Sequence, residues 1–232
     1  MPHEGFTSQH RLIGRAAAWG AFLVGQAYAI VALLGFLSLD SPQDPIGSPW
    51  LPMMALLLVL LAPFMVITMI AVQAYAAPER KAYASTALAF TILLAGITSP
   101  VNFAILTVSQ HIEAAGSAWL PLFLPYKWPA LAYSLDVLAW DWFFALAMLF
   151  AAPVFHEGRL EKTARILMIV SGVLSLVGLI GLPLVGSGAL SIGLLGYGVA
   201  APVVFLLLAI IFGRTDPVPT NNQREGKVLS GA

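Results

Sequence analysis

Residues 129–153 read PALAYSLDVLAWDWFFALAMLFAAP, an apolar run that contains two aspartates and no basic residue. A helix needs roughly 20 apolar residues to cross the ~30 Å hydrocarbon core of a bilayer, so this run predicts a membrane-spanning helix. Asp141 would then lie near the centre of the bilayer, where a charged side chain costs at least ~2.5–3.5 kcal/mol. A carboxyl group at that depth needs a partner inside the protein or a function.

The composition of the whole chain indicates the same class of protein. Hydrophobic residues form 59% of the 232 residues and charged residues only 9%, whereas soluble domains carry about 25% charged residues. So few charges cannot cover a water-exposed surface. The net charge is zero, which gives no indication of nucleic-acid binding. The chain has no cysteine, which excludes disulfides, thiolate catalysis and cysteine-ligated metals.

Six stretches are long and apolar enough to span a membrane. The breaks between them carry polar or turn-forming residues, as at 40–45 and 78–81. We therefore predict an all-α integral membrane protein, with a six-helix transmembrane bundle in residues 1–213 and a disordered cytoplasmic tail in residues 214–232. The predicted spans are 16–39, 51–76, 83–108, 130–155, 166–185 and 190–212.

The basic residues of the loops indicate the orientation. With six spans, ten of the eleven Lys and Arg residues fall on one side of the membrane and Lys127 alone on the other. The positive-inside rule places that side, and with it both termini, in the cytoplasm. A cleaved signal peptide is the alternative for the first span, with Arg11 and Arg15 before the apolar run and an Ala-Tyr-Ala cleavage site at 27–29. The apolar run continues through residues 30–39, which favours an uncleaved span. We expect a plasma-membrane protein, or an endomembrane protein in a eukaryote.

Asp136 and Asp141 are the candidate catalytic residues. On an α-helix, five residues correspond to about 140° of rotation, so the two carboxyl groups are predicted to face different crevices. Asp141 has two interpretations. It is either a protonated or hydrogen-bonded structural group, with Gln26, Thr91 or Tyr197 as the partner, or a proton donor, proton carrier or ligand anchor.

A polar pocket in the outer half of the bundle is the binding site that the sequence favours. The third span ends in polar residues beside Pro100, and Tyr133 and Trp140 share a helix face with Asp136. Spans joined by one loop often pack together. Each group also has a simpler interpretation. His111 and Glu113 would belong to a solvated loop after the third span, Asn102 would only cap the kink at Pro100, and the aromatic residues would only pack. The predicted ligand-binding residues are Asn102, Gln110, His111, Glu113, Tyr133 and Trp140.

We predict no metal and no cofactor, and we expect partners within the membrane. His111 and Glu113, even together with Asp136, match no zinc or iron spacing. Glycines crowd the fifth and sixth spans, and small residues let helices approach closely. They predict packing inside the bundle or a homo-oligomer formed through these two spans. The other expected partners are membrane lipids and a hydrophobic small molecule, with no nucleic acid.

Three functions stay open at this stage. An intramembrane enzyme of the cyclase or isomerase type would use a buried aspartate as a general acid on a lipid or isoprenoid, with aromatic faces stabilising a cation. A small proton-coupled transporter would use the same carboxyl group as a relay. A non-catalytic membrane subunit or assembly factor would keep its activity when both acids are neutralised. We favour a small-molecule or lipid site in the outer half of the bundle, and leave open whether the protein is an enzyme.

Overall fold

A computed structural model describes residues 5–41, 44, 46–107 and 130–216, and within these ranges the chain forms helices and turns but no strand. Six helices are long and apolar enough to cross a membrane. This confirms the predicted number of spans and fits a multi-pass integral membrane protein. The spans, numbered first to sixth below, are Ser8–Leu37, Trp50–Tyr75, Pro78–Thr107, Leu131–Val154, Gly158–Leu184 and Leu190–Arg214.

The first and fifth helices begin well before their apolar runs and extend beyond the predicted spans. The first helix begins at Ser8, and the hydroxyl of Thr7 accepts a hydrogen bond of 3.3 Å from a backbone N–H of the first turn. The fifth begins at Gly158, and the carboxylate of Glu161 accepts hydrogen bonds of 2.9 and 2.8 Å from two preceding backbone N–H groups. Hydropathy marks the apolar part of a helix, whereas capping of its free N–H groups decides where it starts.

The fourth and sixth spans each contain a π-helical segment, which the sequence did not predict. The fourth runs as an α-helix over Leu131–Val137, as a π-helix over Leu138–Phe143 and again as an α-helix over Phe144–Ala151. The sixth is π-helical over Leu195–Ala200. Pro202 lies two residues after that segment and has no N–H to donate, so one regular helical bond is lost there. Because the first π-helix includes Asp141, the ideal α-helical angle of about 140° from Asp136 does not apply.

The six spans form a closed ring in chain order. Each span packs against the next one, and the first also packs against the sixth. The guanidinium of Arg11 donates a hydrogen bond of 2.7 Å to the carbonyl of Gly213, so the start of the first helix and the end of the sixth lie together. The fourth span is the most enclosed, with 61% of its apolar stretch buried. Its two aspartates therefore lie inside the protein.

Aromatic packing closes the end of the bundle where the first helix starts. Phe6 is fully buried, and its ring centroid lies 5.5 Å from that of Tyr75 and 5.6 Å from that of Phe212. Tyr75 also stacks on Phe155 at 5.7 Å. The segment before the first helix thus packs between the ends of the second and sixth spans. We call this the closed end, and the opposite one the open end.

Basic side chains bind backbone carbonyls at the closed end. Arg80 donates to the carbonyl of Pro153, and the ammonium of Lys81 donates to the carbonyl of Gln73 at 2.6 Å. Positive charge at the carbonyl end of a helix is stabilising. These contacts fit the sequence pattern in which the basic loops share one side. The cytoplasmic location of that side remains a prediction.

Candidate functional site

A cavity of about 490 Å³ lies between the first, second, fourth and sixth spans. Its size falls within the roughly 300–1,000 Å³ that is usual for small-molecule sites. Leu39, Asp44 and Ile46, from the chain between the first two spans, line it towards the open end. Methionine, leucine and alanine side chains form much of the wall. The polar groups of the wall come from Tyr28, Asp44, Tyr133, Asp136, Trp140, Ser191 and Tyr197.

Asp136 is the carboxyl group deep in this cavity, and its side chain is only 4% exposed. The amide of Asn102 on the third span donates to Asp136 Oδ1 at 3.3 Å and to the carbonyl of Thr98 at 3.0 Å. Asn102 itself is buried behind the cavity wall rather than part of it. The amide therefore orients the carboxyl group, because it fixes one of the two oxygens from behind.

The residues predicted to share a face with Asp136 all line the cavity. Tyr133 and Trp140 stand one turn on either side of it, and Tyr197 of the sixth span faces them. The ring centroids of Trp140 and Tyr197 lie 5.5 Å apart, and both rings pack on the fully buried Phe144 at 5.7 and 6.4 Å. One side of the cavity is thus an aromatic wall with a carboxyl group at its edge.

Asp141 is fully buried but does not line the cavity. It packs against the backbone of the last two spans instead. A Cβ atom added to Gly193 would lie 1.9 Å from Asp141 Oδ1, and one added to Gly178 would lie 3.1 Å from it. Only glycine leaves room for the carboxyl group at this contact. The prediction that the two aspartates face different surroundings agrees with this arrangement.

Neither carboxyl oxygen of Asp141 has a hydrogen-bond partner among the described residues. A hydrogen bond to Gln26, Thr91 or Tyr197, one form of the structural interpretation, is therefore not present among the described residues, whereas a protonated carboxyl group stays a prediction. The hydroxyl of Thr91 instead donates to the carbonyl of Ala87 on its own helix at 2.9 Å. The carboxyl group faces glycine backbones, which offer it no side-chain donor.

Glycines of the fifth and sixth spans make close contacts inside the chain. A Cβ on Gly196 would lie 2.5 Å from the carbonyl oxygen of Ser171, and the Ser171 hydroxyl donates to the Gly196 carbonyl at 2.8 Å. A Cβ on Gly172 would lie 2.8 Å from the carbonyl oxygen of Ala145. These positions serve packing within the bundle. A homo-oligomer formed through the two spans stays a prediction.

Several site residues were missed from the sequence, and others cannot be placed. Tyr28, Asp44 and Ser191 line the cavity, yet they belong to spans and loops that no local pattern connects with Asp136. The predicted ligand residues Gln110, His111 and Glu113 lie outside the described residues, as do residues 217–232 of the predicted tail. Within the described ranges, no group of three or more metal-binding side chains occurs.

Comparisons with protein-family models, with curated proteins and with solved structures find no match to this chain. A function is therefore inferred from the geometry of the cavity and from the chemistry of its lining.

Proposed function

We propose that the chain is a membrane protein that binds an amphiphilic small molecule, with the apolar part in the cavity and the polar part at Asp136. The observation that carries the proposal is the deep carboxyl group in an otherwise largely apolar cavity of about 490 Å³. Sites for small molecules typically combine apolar walls with a few fixed polar groups. The amide of Asn102, 3.3 Å from Asp136 Oδ1, supplies that fixation here.

The polar groups must provide most of the selectivity. Lipid tails are as apolar as leucine side chains, so a ligand that moves from the bilayer into the cavity gains little from the hydrophobic effect. A contact with Asp136, Tyr133 or Ser191 distinguishes a ligand from bulk lipid, because these polar groups line the cavity and hydrocarbon tails offer none. A specific ligand therefore needs a polar group that matches them.

Mass spectrometry of co-purified molecules tests the proposal. Wild-type protein in nanodiscs is compared with Gly25→Leu, which fills the cavity. Gly25 lines the cavity, and a Cβ there would make an ordinary contact of 3.6 Å with Pro202, so a leucine at this position is expected to reduce the cavity volume. Asp141→Asn is the matched control, since Asp141 is buried but outside the cavity wall. We expect a discrete molecule in wild type and Asp141→Asn and its loss in Gly25→Leu.

The same bulk lipid in all three samples would contradict the proposal and favour a non-catalytic subunit or assembly factor. Loss of the molecule from Asp141→Asn but not from Gly25→Leu would place the ligand at Asp141 instead of in the cavity.

Acid catalysis at Asp136 is the second candidate function. Asp136 would donate a proton to a ligand in the cavity, and the aromatic wall would stabilise positive charge that develops on that ligand. This assigns the acid role to Asp136 rather than Asp141, because only Asp136 lines the cavity. A catalytic role predicts that Asp136→Asn accumulates an unreacted form of the molecule that wild type contains as product. Identical molecules in both would exclude it.

A further inference from the structure

We infer that the exposed face of the fifth helix is a binding site for an anionic phospholipid of the surrounding membrane. In this site the phosphate group contacts three basic side chains at the start of the helix, and an acyl chain covers the apolar side chains that follow them. The site is independent of the cavity, which lies between the first, second, fourth and sixth spans.

The three basic residues share one face at the start of the fifth helix. Arg159, Lys162 and Arg165 stand three residues apart in the helix Gly158–Val185, and all three are exposed. Because residues three apart are neighbours on a helix surface, this basic trio covers an arc of about 120° and about 9 Å along the axis. The headgroup layer on each side of a bilayer is roughly 5–8 Å thick. The trio can therefore contact phosphate groups through the whole depth of that layer.

The carboxylates near the basic trio are engaged elsewhere. Glu161 accepts hydrogen bonds from two backbone N–H groups before the helix and from the hydroxyl of Tyr75. Glu157 lies 3.7 Å from the ring of His156. Within the described ranges, no ion pair or side-chain hydrogen bond joins the trio to a carboxylate. Like charges at this spacing destabilise a helix, and a bound anion would remove that repulsion.

The apolar part of the helix continues the same face towards the centre of the membrane. Ile166, Ile169, Val173 and Val177 follow at helical spacing, and their exposed fractions lie between 39% and 59%. They fall within an arc of about 80° that overlaps the arc of the basic trio. From Ile166 to Val177 the helix rises about 16 Å, which is about half of the hydrocarbon core. A lipid held by its phosphate at the trio therefore meets an apolar surface as long as one acyl chain.

Charge favours a lipid over a second copy of the chain on this face. In a twofold symmetric dimer, the same patch of both subunits meets, so two basic trios would face each other and repel. An anionic phospholipid brings the opposite charge together with an apolar chain. The positive-inside rule predicts that this end of the bundle faces the cytoplasm, and the cytoplasmic leaflet is the one that carries anionic lipids.

Native mass spectrometry of the full-length protein in an uncharged detergent tests the inference. The probes are dioleoyl phosphatidylglycerol, which is anionic, and dioleoyl phosphatidylcholine, which has the same chains and no net charge. Inorganic phosphate is added as a competitor that has the anion without the chains. Arg165→Gln removes one charge of the basic trio. Arg15→Gln is the matched control, because Arg15 is also an exposed arginine directly before the apolar part of a span that starts at the closed end.

We expect wild type to bind phosphatidylglycerol at least about tenfold more tightly than phosphatidylcholine. A basic residue near an anionic headgroup contributes about a fivefold factor in affinity. Arg165→Gln should therefore weaken phosphatidylglycerol binding about fivefold, and Arg15→Gln less than about twofold. Replacement of the whole trio by Gln should make the two lipids bind alike. Arg159→Lys together with Arg165→Lys keeps both charges and should keep the preference, which separates loss of charge from misfolding.

Several results would overturn the inference. Equal affinities for the two lipids in wild type would exclude an anion site, and equal losses in Arg15→Gln and Arg165→Gln would indicate an effect of net charge alone. Release of phosphatidylglycerol by millimolar inorganic phosphate would indicate a site for free phosphate. A dimer that excludes phosphatidylglycerol would assign the face to a second copy of the chain.

The failure of this inference is distinguishable from that of the proposed function. The Gly25→Leu variant should bind phosphatidylglycerol as wild type does, because the cavity and the basic trio are separate. Loss of that lipid from Gly25→Leu, but not from the variant without the trio, would place the lipid in the cavity. That outcome overturns the lipid site on the fifth helix and supports the proposed function.

Discussion

Gly193 should tolerate no side chain while Asp141 is present, and this contact allows a quantitative test of the site. A Cβ at Gly193 would lie 1.9 Å from Asp141 Oδ1 and 3.1 Å from its Cγ, whereas ordinary contacts begin at 3.4 Å. The carboxyl group would have to retreat by roughly 1.5 Å. It is fully buried, and Gly178 lies close to the same oxygen. Overpacking of this kind costs about 1–3 kcal/mol of unfolding free energy.

The Gly193→Ala variant also gains up to about 1 kcal/mol because alanine favours a helix more than glycine does. Gly96→Ala is the matched control for that gain, since a Cβ there would meet no atom within 4 Å. Relative to Gly96→Ala, the Gly193→Ala variant should lose about 1–3 kcal/mol. For a domain of about 200 residues this corresponds to a fall of roughly 2–12 °C in Tm, measured by thermal unfolding in one detergent.

A double-mutant cycle assigns the cost to the carboxyl group. Asp141→Ala removes both atoms that a Cβ at Gly193 would meet most closely, so Gly193→Ala should cost nothing in that background and even fill the space left behind. The coupling free energy should then approach the whole overpacking cost of about 1–3 kcal/mol. Additive effects, or a Gly193→Ala variant as stable as Gly96→Ala, would refute the placement of Asp141 against Gly193.

Three further predictions concern the closed end and the orientation. Phe6→Ala should destabilise the protein by about 3–5 kcal/mol in chemical or thermal unfolding, because the ring is fully buried; an unchanged Tm would contradict its role in closing the bundle. Glu161→Gln should cost about 1–2 kcal/mol, because the carboxylate accepts two backbone hydrogen bonds at the start of the fifth helix, whereas the exposed Glu79→Gln should be neutral. The chain has no cysteine, so the single substitutions Ser41→Cys and Thr215→Cys can report the orientation of the protein in the membrane. A maleimide that cannot cross the membrane, added to intact cells, should label the Ser41→Cys variant and leave the Thr215→Cys variant unlabelled. The reverse labelling pattern would contradict the predicted topology.

The number of spans was predictable because it depends on local composition. Apolar stretches of about 20 residues have few alternatives to crossing the bilayer as helices. The helix starts at Ser8 and Gly158 were not predictable in the same way, since polar turns can continue a helix into water when its first N–H groups are capped. Hydropathy does not detect such turns.

The candidate site was predictable along the fourth span and in part from the neighbouring third span, where Asn102 was expected near Asp136 and donates to it at 3.3 Å. The shared face of Tyr133, Asp136 and Trp140 follows from helical spacing, and all three line the cavity. Tyr28 and Tyr197 complete it from the first and sixth spans, which are far apart in the sequence. Their contribution depends on the contact between the first and sixth spans, which closes the ring of six helices. The periodicity within one segment does not predict this contact between distant segments.

The environment of Asp141 could not be read from helical spacing because the π-helix at Leu138–Phe143 changes the register within the fourth span. One extra residue in a turn rotates the flanking helix by about 100° relative to an unbroken α-helix. Loss of that insertion would turn Asp136 away from Asn102 and the cavity, if Asp141 kept its place against Gly193. The positions of the two carboxyl groups are thus linked through one irregular turn.

The second π-helix carries Tyr197, whose ring centroid lies 5.5 Å from that of Trp140 in the first π-helix. The aromatic wall of the cavity therefore joins the two segments whose helical register departs from the α-helix, and π-helical turns of this kind are frequent at functional sites.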